Sequence, residues 1–218
     1  MSEPLVKVCG ATAPADLALL GAAGADLVGL WWRVRGGHAD LSRAQVVALA
    51  GAGGPRPVLV TFSGDARGVL DVVRRSGVRW VQLHGYQPPS VVRALKAEPG
   101  LTVVKVLHLR GTGCVERPLL AAYERAGTDC FLLDAVGPDG ALGSTGRTLD
   151  EAAVLAVVAE TSRPFLLAGG LSAANAGNFA AVRAHPRFAG IDVDSGARDR
   201  YGRFCRERVL GLRRGWTR

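Results

Sequence analysis

Residues 5–32 read LVKVCGATAPADLALLGAAGADLVGLWW, and this stretch has the pattern of a strand, a helix and a second strand. The run Leu5–Cys9 is mostly aliphatic, and the Ala/Leu-rich run Ala13–Ala23 has helical spacing. Gly24 marks the end of the helix, where glycine readily takes the left-handed conformation. A second apolar run, Leu27–Trp32, follows. The stretch therefore predicts one βαβ unit of a parallel sheet.

The same pattern recurs along the whole chain. The predicted strands are Leu5–Cys9, Leu27–Trp32, Pro57–Phe62, Trp80–His84, Thr102–Leu107, Cys130–Asp134, Pro164–Ala168 and Ala189–Asp194. The predicted helices are Ala13–Ala23, Arg43–Ala50, Ala66–Ser76, Pro89–Ala97, Val115–Arg125, Asp150–Glu160, Ala173–Ala184 and Arg203–Arg213. Eight units without a Pro/Gly/Ser linker predict a single (β/α)8 barrel domain of the α/β class over residues 1–218. A doubly wound open sheet is the alternative, but no GxGxxG follows the first strand.

Composition narrows the function classes. No apolar run reaches the roughly 18 residues that a membrane span needs, and the N-terminus lacks a signal peptide's apolar core, so we expect a soluble cytoplasmic protein without a membrane partner. The formal charge is +8, but basic residues are dense only in Arg206–Arg218. This scatter argues against a nucleic-acid partner and fits a small phosphorylated or carboxylated substrate.

The four cysteines show no metal-ligand spacing and no disulfide framework. We therefore expect neither a zinc site nor a set of structural disulfides. Cys114, Cys130 and Cys205 are interpreted as small, partly buried apolar residues. Cys9 differs because it ends the first strand.

Functional groups of a parallel barrel lie at the carboxyl ends of its strands. This rule brings to one mouth Cys9, Trp32, His84, Asp134, Gly169-Gly170 and Asp194-Ser195-Gly196. Near helix N-termini the Cys9 thiol can be a thiolate, and so a base or nucleophile, although an inert packed cysteine is the alternative. Asp134 emerges from an apolar strand, where its pKa can be raised as in a general acid, or it caps the next loop.

Glycine-rich turns accompany these residues. Gly169-Gly170 and Ser195-Gly196 end the last two strands, the position at which many barrels bind phosphate through backbone amides. The segment Gly143–Gly146 precedes a helix, and it could form a lid or an anion cradle, or a plain loop. His84 either contacts substrate or is a structural histidine that lines the site.

An ordered set of motifs resembles the phosphoribosylanthranilate isomerase family. The motifs are Val6–Gly10, Val81–Gly85, Leu132–Asp134, Gly143–Thr148, Leu167–Leu171 and Gly190–Gly196. That family folds as a (β/α)8 barrel and catalyses a cofactor-independent Amadori rearrangement in the tryptophan pathway. The resemblance implies that Asp134 protonates the ribose ring oxygen and that Cys9 removes the C2′ proton. It also implies that the Gly169-Gly170 and Ser195-Gly196 loops hold the phosphate. The predicted substrate-binding residues are Arg35, His84, Gly146, Gly169, Gly170, Asp192, Ser195 and Gly196.

The substrate-recognition periphery departs from the family pattern. Ala39 stands where the family has an arginine for the anthranilate carboxylate, and Arg33 or Arg35 is the predicted replacement. Asp194 replaces a small polar residue beside the phosphate loop, where it must point away or be compensated by a cation such as Arg198, unless the ligand has no phosphate there. Only one of Trp31 and Trp32 can face the interior.

Three hypotheses follow from the sequence. The first is an isomerase acting on N-(5-phosphoribosyl)anthranilate, and the second is a diverged paralogue that uses the same acid–base pair on another amine-bearing substrate. The third, a non-catalytic ligand or nucleic-acid binder, leaves Cys9 and Asp134 unexplained. We expect a monomer or a homodimer, with no cofactor and no metal.

Overall fold

The computed structural model describes residues 3–34, 36–137 and 148–217. Arg35 and Gly146, two of the predicted substrate-binding residues, lie outside these ranges. Within them, eight strands form a single sheet. These are β1 Leu5–Cys9, β2 Leu27–Trp32, β3 Arg56–Thr61, β4 Trp80–Leu83, β5 Thr102–Arg110, β6 Cys130–Ala135, β7 Phe165–Leu167 and β8 Phe188–Val193.

The sheet is parallel and closed. Each strand pairs with its sequence neighbours, and β1 pairs with both β2 and β8, with Cys9 opposite Gly29 and Lys7 opposite Asp192. Two short strands extend it, Asp40–Leu41 beside β2 and Gly113–Cys114 antiparallel to the end of β5. The predicted (β/α)8 barrel is confirmed.

Helices follow the strands around the barrel. They are α1 Pro14–Ala22, α2 Arg43–Ala50, α3 Ala66–Ser76, α4 Pro89–Leu95, α5 Leu120–Ala126, α6 Glu151–Ala159, α7 Ala180–Arg183 and α8 Arg206–Trp216. Capping explains several of the starts, since Ser42, Asp65 and Asp150 accept hydrogen bonds from the first turns of α2, α3 and α6.

Three helices differ most from their predicted bounds, while α1, α4 and α6 differ by one or two residues at an end. α5 begins after a 3₁₀ turn at Arg117–Leu119, where a proline occupies the first turn. α7 is preceded by a 3₁₀ turn at Ala176–Phe179, so only four residues are α-helical. α8 starts at Arg206 rather than Arg203 because Phe204 bridges to Arg198 in extended backbone.

Side-chain alternation along each strand separates two hydrophobic layers. In β1, Val6 and Val8 join the main cluster that packs the sheet against the helices. Cys9 belongs to a separate cluster with Trp31, Val58 and Val60. Lys7 shares its side of the strand with Cys9, so a buried cation and a thiol face the barrel interior together. The inner face of β1 therefore carries two polar, potentially reactive side chains.

No helix in the described ranges is long and apolar enough to cross a bilayer.

Candidate active site

One cavity opens at the carboxyl ends of the strands. Its volume is about 340 Å³, within the range of pockets that hold small ligands. Its lining includes Cys9, Trp31, Val34, His38, Val60, Phe62, His84, Asp134, Gly169, Gly170, Asp192, Asp194, Ser195 and Gly196. The described residues that the sequence assigned to the site, except Trp32 and Arg33, therefore share one cavity.

The thiol of Cys9 lies against a buried lysine. Lys7 Nζ donates to Cys9 Sγ over 2.7 Å. Burial and the charge of Asp192 raise the pKa of Cys9 while Lys7 lowers it, and the net result is a pKa of about 12. Helix N-termini do not govern this thiol, because Cys9 is only 6% exposed and desolvation outweighs the nearby positive charge.

Lys7 also pairs with Asp192. Its ammonium lies 2.8 Å from Asp192 Oδ1, and both side chains are buried. Burial acts to lower the pKa of Lys7, but Asp192 and Cys9 outweigh it, so that pKa is raised and Lys7 stays charged. The sequence reasoning missed Lys7, although its place two residues before Cys9 on the same strand face was a readable signal.

Gln82 connects Asp192 to His84. Gln82 Nε2 lies 3.3 Å from Asp192 Oδ2 and 2.9 Å from His84 Nδ1. His84 Nε2 in turn lies 3.3 Å from Asp134 Oδ2, without hydrogen-bond alignment. Gln82 is fully buried and was also missed. A row of polar side chains, Asp192, Gln82 and His84, therefore runs through the barrel interior from Cys9 to Asp134.

Asp134 is fixed at the end of β6. Its Oδ1 accepts the backbone N–H of Ala135 over 2.8 Å, which leaves Oδ2 toward the cavity and His84. The side chain is 5% exposed. A carboxyl group in this position can reach a bound ligand while being shielded from bulk water, as a general acid requires.

A second cluster of buried polar side chains lies next to His84. His108 Nδ1 lies 2.6 Å from Glu116 Oε1, and the His108 ring centroid is 5.9 Å from that of His84. Lys105 lies 3.7 Å from the same Glu116 oxygen, and burial lowers its pKa to about 8. None of these three lines the cavity, so they pack the end of β5.

The glycine-rich turns stand on the β7–β8 side. Gly169 and Gly170 have φ of +86° and +55°, values that suit glycine. Ser195–Ala197 forms a 3₁₀ turn after β8. A Cβ at Gly196 would overlap the carbonyl oxygen of Leu171, so glycine lets the two turns touch.

Asp194 is compensated by a cation beside this turn. Arg198 Nε donates to Asp194 Oδ1 over 2.7 Å, and the same guanidinium donates to the carbonyl of Gly10 over 3.0 Å. His38 Nε2 lies 3.6 Å from Asp194 Oδ2. Of the three alternatives for the Asp194 charge, the structure therefore shows its compensation by Arg198.

The loop after β2 shows the departure from the family pattern. Ala39 is buried in the inner cluster beside Trp31 and offers no charge to a ligand. Arg33 turns away, with Nη1 3.2 Å from Asp65 Oδ2, and does not line the cavity. Trp32 also fails to line it, because Trp31 takes the inward position and Trp32 packs in the outer cluster. The predictions for Arg33 and Trp32 were wrong.

Substituting Gly196 with alanine should weaken binding at the glycine turns. The added methyl group must displace the Leu171 carbonyl, so we expect the KM of a phosphorylated substrate to rise about tenfold, a cost near 1.4 kcal/mol, while kcat changes little. Steady-state kinetics measure both constants. Gly177→Ala is the matched control, since that added methyl meets nothing within 4 Å. An unchanged KM in Gly196→Ala would remove these turns from the binding site.

Comparison with known proteins identifies the family. The family model described as N-(5'phosphoribosyl)anthranilate (PRA) isomerase matches residues 6–203. The chain is 37% identical over 202 residues to N-(5'-phosphoribosyl)anthranilate isomerase of Rhodospirillum centenum, covering 90% of each chain. It is 32% identical over 202 residues to N-(5'-phosphoribosyl)anthranilate isomerase 2 of Methanosarcina mazei, covering 90% of this chain and 87% of that one.

A solved structure gives the same result. Phosphoribosyl anthranilate isomerase from Thermus thermophilus superposes with a TM-score of 0.79 at 27% identity, covering 96% of both chains. Described residues from five of the six motifs line the cavity, among them Cys9, His84, Asp134, Gly169 and Asp192. The chain belongs to the N-(5'-phosphoribosyl)anthranilate isomerase family.

Proposed function

We propose that this enzyme isomerises N-(5'-phosphoribosyl)anthranilate to the 1-deoxyribulose 5-phosphate form by an Amadori rearrangement, with Asp134 as acid and Cys9 as base. One observation carries the assignment of roles. Cys9 and Asp134 line the same cavity, and buried Lys7, Asp192, Gln82 and His84 connect them.

The first step belongs to Asp134. Its carboxyl proton goes to the ribose ring oxygen, the bond from that oxygen to C1′ breaks, and the nitrogen lone pair forms a protonated C=N bond. Asp134 suits this step because it lines the cavity and its Oδ1 is held by the Ala135 N–H, while Oδ2 lies on the side of His84, 3.3 Å from Nε2. A positioned acid of this kind typically accelerates a reaction by about 10²–10⁴-fold.

The second step belongs to Cys9. The thiolate takes the C2′ proton, and the electrons of that C–H bond form C1′=C2′ while the nitrogen becomes neutral. The resulting enolamine then tautomerises to the ketone. This sequence needs no cofactor, because the iminium nitrogen itself accepts the electron pair.

Binding follows from the polarity of the cavity walls. The turns at Gly169-Gly170 and Ser195-Gly196 would hold the phosphate through backbone amides, with the Asp194 charge already offset by Arg198. Trp31, Val34, Val60 and Phe62 form an apolar wall on the β2–β3 side for the aromatic ring. Arg35, outside the described residues, stays the predicted partner of the aryl carboxylate.

A diverged paralogue acting on another amine-bearing substrate is the second candidate. Buried Ala39 favours it, since this position supplies no charge for an aryl carboxylate. Expression in an isomerase-deficient tryptophan auxotroph, with soluble protein verified, separates the two. Growth without tryptophan supports the first candidate. Failure to grow, together with turnover of a phosphoribosylated amine that lacks the carboxylate, supports the second.

Other expectations from the sequence stay predictions. These are a cytoplasmic location, a monomeric or homodimeric state, and the lack of a nucleic-acid partner. The proposed ligand is a small phosphorylated molecule.

A further inference from the structure

Three side chains at the base of the cavity form a closed triangle. Lys7 Nζ lies 2.7 Å from Cys9 Sγ and 2.8 Å from Asp192 Oδ1. Cys9 Sγ lies 3.7 Å from Asp192 Oδ2, in donor geometry toward that oxygen. The ammonium therefore contacts Oδ1, and the thiol contacts Oδ2, which also accepts a hydrogen bond from Gln82.

The charges of this triangle limit where a proton can go. The buried site holds one cation, Lys7, and one anion, Asp192. Loss of the Cys9 proton to solvent would bury a second anion, and the pKa of about 12 expresses that cost. Transfer of the same proton to Asp192 moves the single negative charge from oxygen to sulfur, and Lys7 contacts both ends. Internal transfer thus avoids the second buried charge.

We propose that Asp192 accepts the Cys9 thiol proton while Lys7 holds the resulting thiolate, so that Lys7 and Asp192 are the positioning residues that make Cys9 a base. The S–H bond breaks, an O–H bond forms on Asp192, and the electron pair stays on sulfur. The role of the thiolate rests on the proposed function, in which Cys9 removes the C2′ proton. The transfer itself occurs without substrate.

The surroundings isolate the triangle. From β2 and β3 the side chains clustered with Cys9 carry no charge, and among them Trp31 acts to lower the pKa of the thiol through its indole N–H. From β8 the titratable neighbour is Asp192, while Arg198 in the following loop reaches the Cys9 carbonyl rather than the thiol. His84 and Asp134 stand farther along the row, beyond Gln82. Among the residues that the structure describes, Lys7 and Asp192 are therefore the charged groups that act on the thiol.

Two buried residues hold the geometry. Gln82 Nε2 lies 3.3 Å from Asp192 Oδ2, which orients that oxygen. Gly29 lies opposite Cys9 in the sheet, and a Cβ there would overlap Sγ and lie 3.2 Å from Lys7 Nζ. The φ of Gly29 is not in the left-handed region, so the need for glycine is one of space.

Labelling of Cys9 by iodoacetamide as a function of pH tests the transfer without substrate, with mass spectrometry separating the four cysteines. Only the thiolate reacts. If the proton moves to Asp192, the thiolate fraction is fixed, and the wild-type rate should change less than about twofold between pH 6 and 9. In Asp192→Asn the proton must leave to solvent, and the rate should rise by about tenfold per pH unit below the new thiol pKa. A wild-type rate rising tenfold per unit, or no labelling at any pH, would overturn the proposal.

Lys7→Met tests the role of the ammonium. Methionine fills similar space but cannot hold a thiolate, so we expect labelling and kcat to fall by about 100-fold or more, with KM within about threefold. Retention of both rates would overturn the proposal.

If Asp192→Asn does not fold, Gly29→Ala is used in its place. The added methyl group displaces Cys9 Sγ from Asp192, so labelling of Cys9 should again depend on pH. If wild-type Cys9 is labelled at a pH-independent rate but the enzyme does not turn over phosphoribosylanthranilate, the proposed function is contradicted and the proton transfer is not.

Discussion

Asp134→Asn is expected to lower kcat by about 10³-fold, with KM changed by less than about threefold. Asparagine keeps the shape and can still accept the Ala135 N–H, but it has no carboxyl proton to give to the ring oxygen. Without that proton the ring must open to an alkoxide, so the loss falls on the chemical step. Steady-state turnover of phosphoribosylanthranilate at constant pH measures it.

The control for this prediction makes the same change outside the cavity. Asp71 lies on the surface of α3 and pairs with Arg43 and Arg75, so Asp71→Asn should leave kcat unchanged. Should Asp134→Asn retain more than about a tenth of the wild-type kcat, Asp134 would be a loop cap rather than the acid.

Cys9→Ala is expected to be the second severe loss, again about 10³-fold in kcat. The alanine removes the atom that takes the C2′ proton but leaves the acid in place, so ring opening can proceed while C–H cleavage stops. NMR of the substrate in D₂O distinguishes the steps, because the C2′ proton should remain on carbon in the variant.

Cys130 supplies a matched control for the cysteine. Burial raises its pKa to about 12, as for Cys9, but it stands at the start of β6, away from the cavity, in an apolar cluster. Cys130→Ala should keep kcat, although a small core cavity can lower stability by about 1 kcal/mol. A Cys9→Ala enzyme that still releases the C2′ proton would assign the base to another residue.

Much of the fold follows from local patterns. β1 and β2 have the predicted bounds, since an apolar run bounded by glycine or polar residues fixes a buried strand well. β5 extends to Arg110, three residues past its predicted end, because Gly113–Cys114 folds back and pairs with it. That pairing depends on tertiary geometry, and no local pattern announces it.

The parts of the candidate site that depend only on strand ends could be predicted from the sequence. Cys9 and Asp134 end strands, and the carboxyl ends of barrel strands converge on one mouth. The Cys9 protonation state was not predictable, because it depends on the balance between burial and the Lys7–Asp192 pair from β1 and β8. Choosing Trp31 over Trp32 likewise required the register of β2, since a shift of one residue reverses the two faces.

Turnover of enzymatically generated phosphoribosylanthranilate by the purified wild-type protein, Cys9→Ala and Asp134→Asn, measured side by side, tests the assignment of base and acid. The wild type should form the deoxyribulose phosphate, and both variants should lose at least about 100-fold in turnover while thermal unfolding shows all three proteins folded. Equal turnover by the three proteins, or none by the folded wild type, would contradict this assignment.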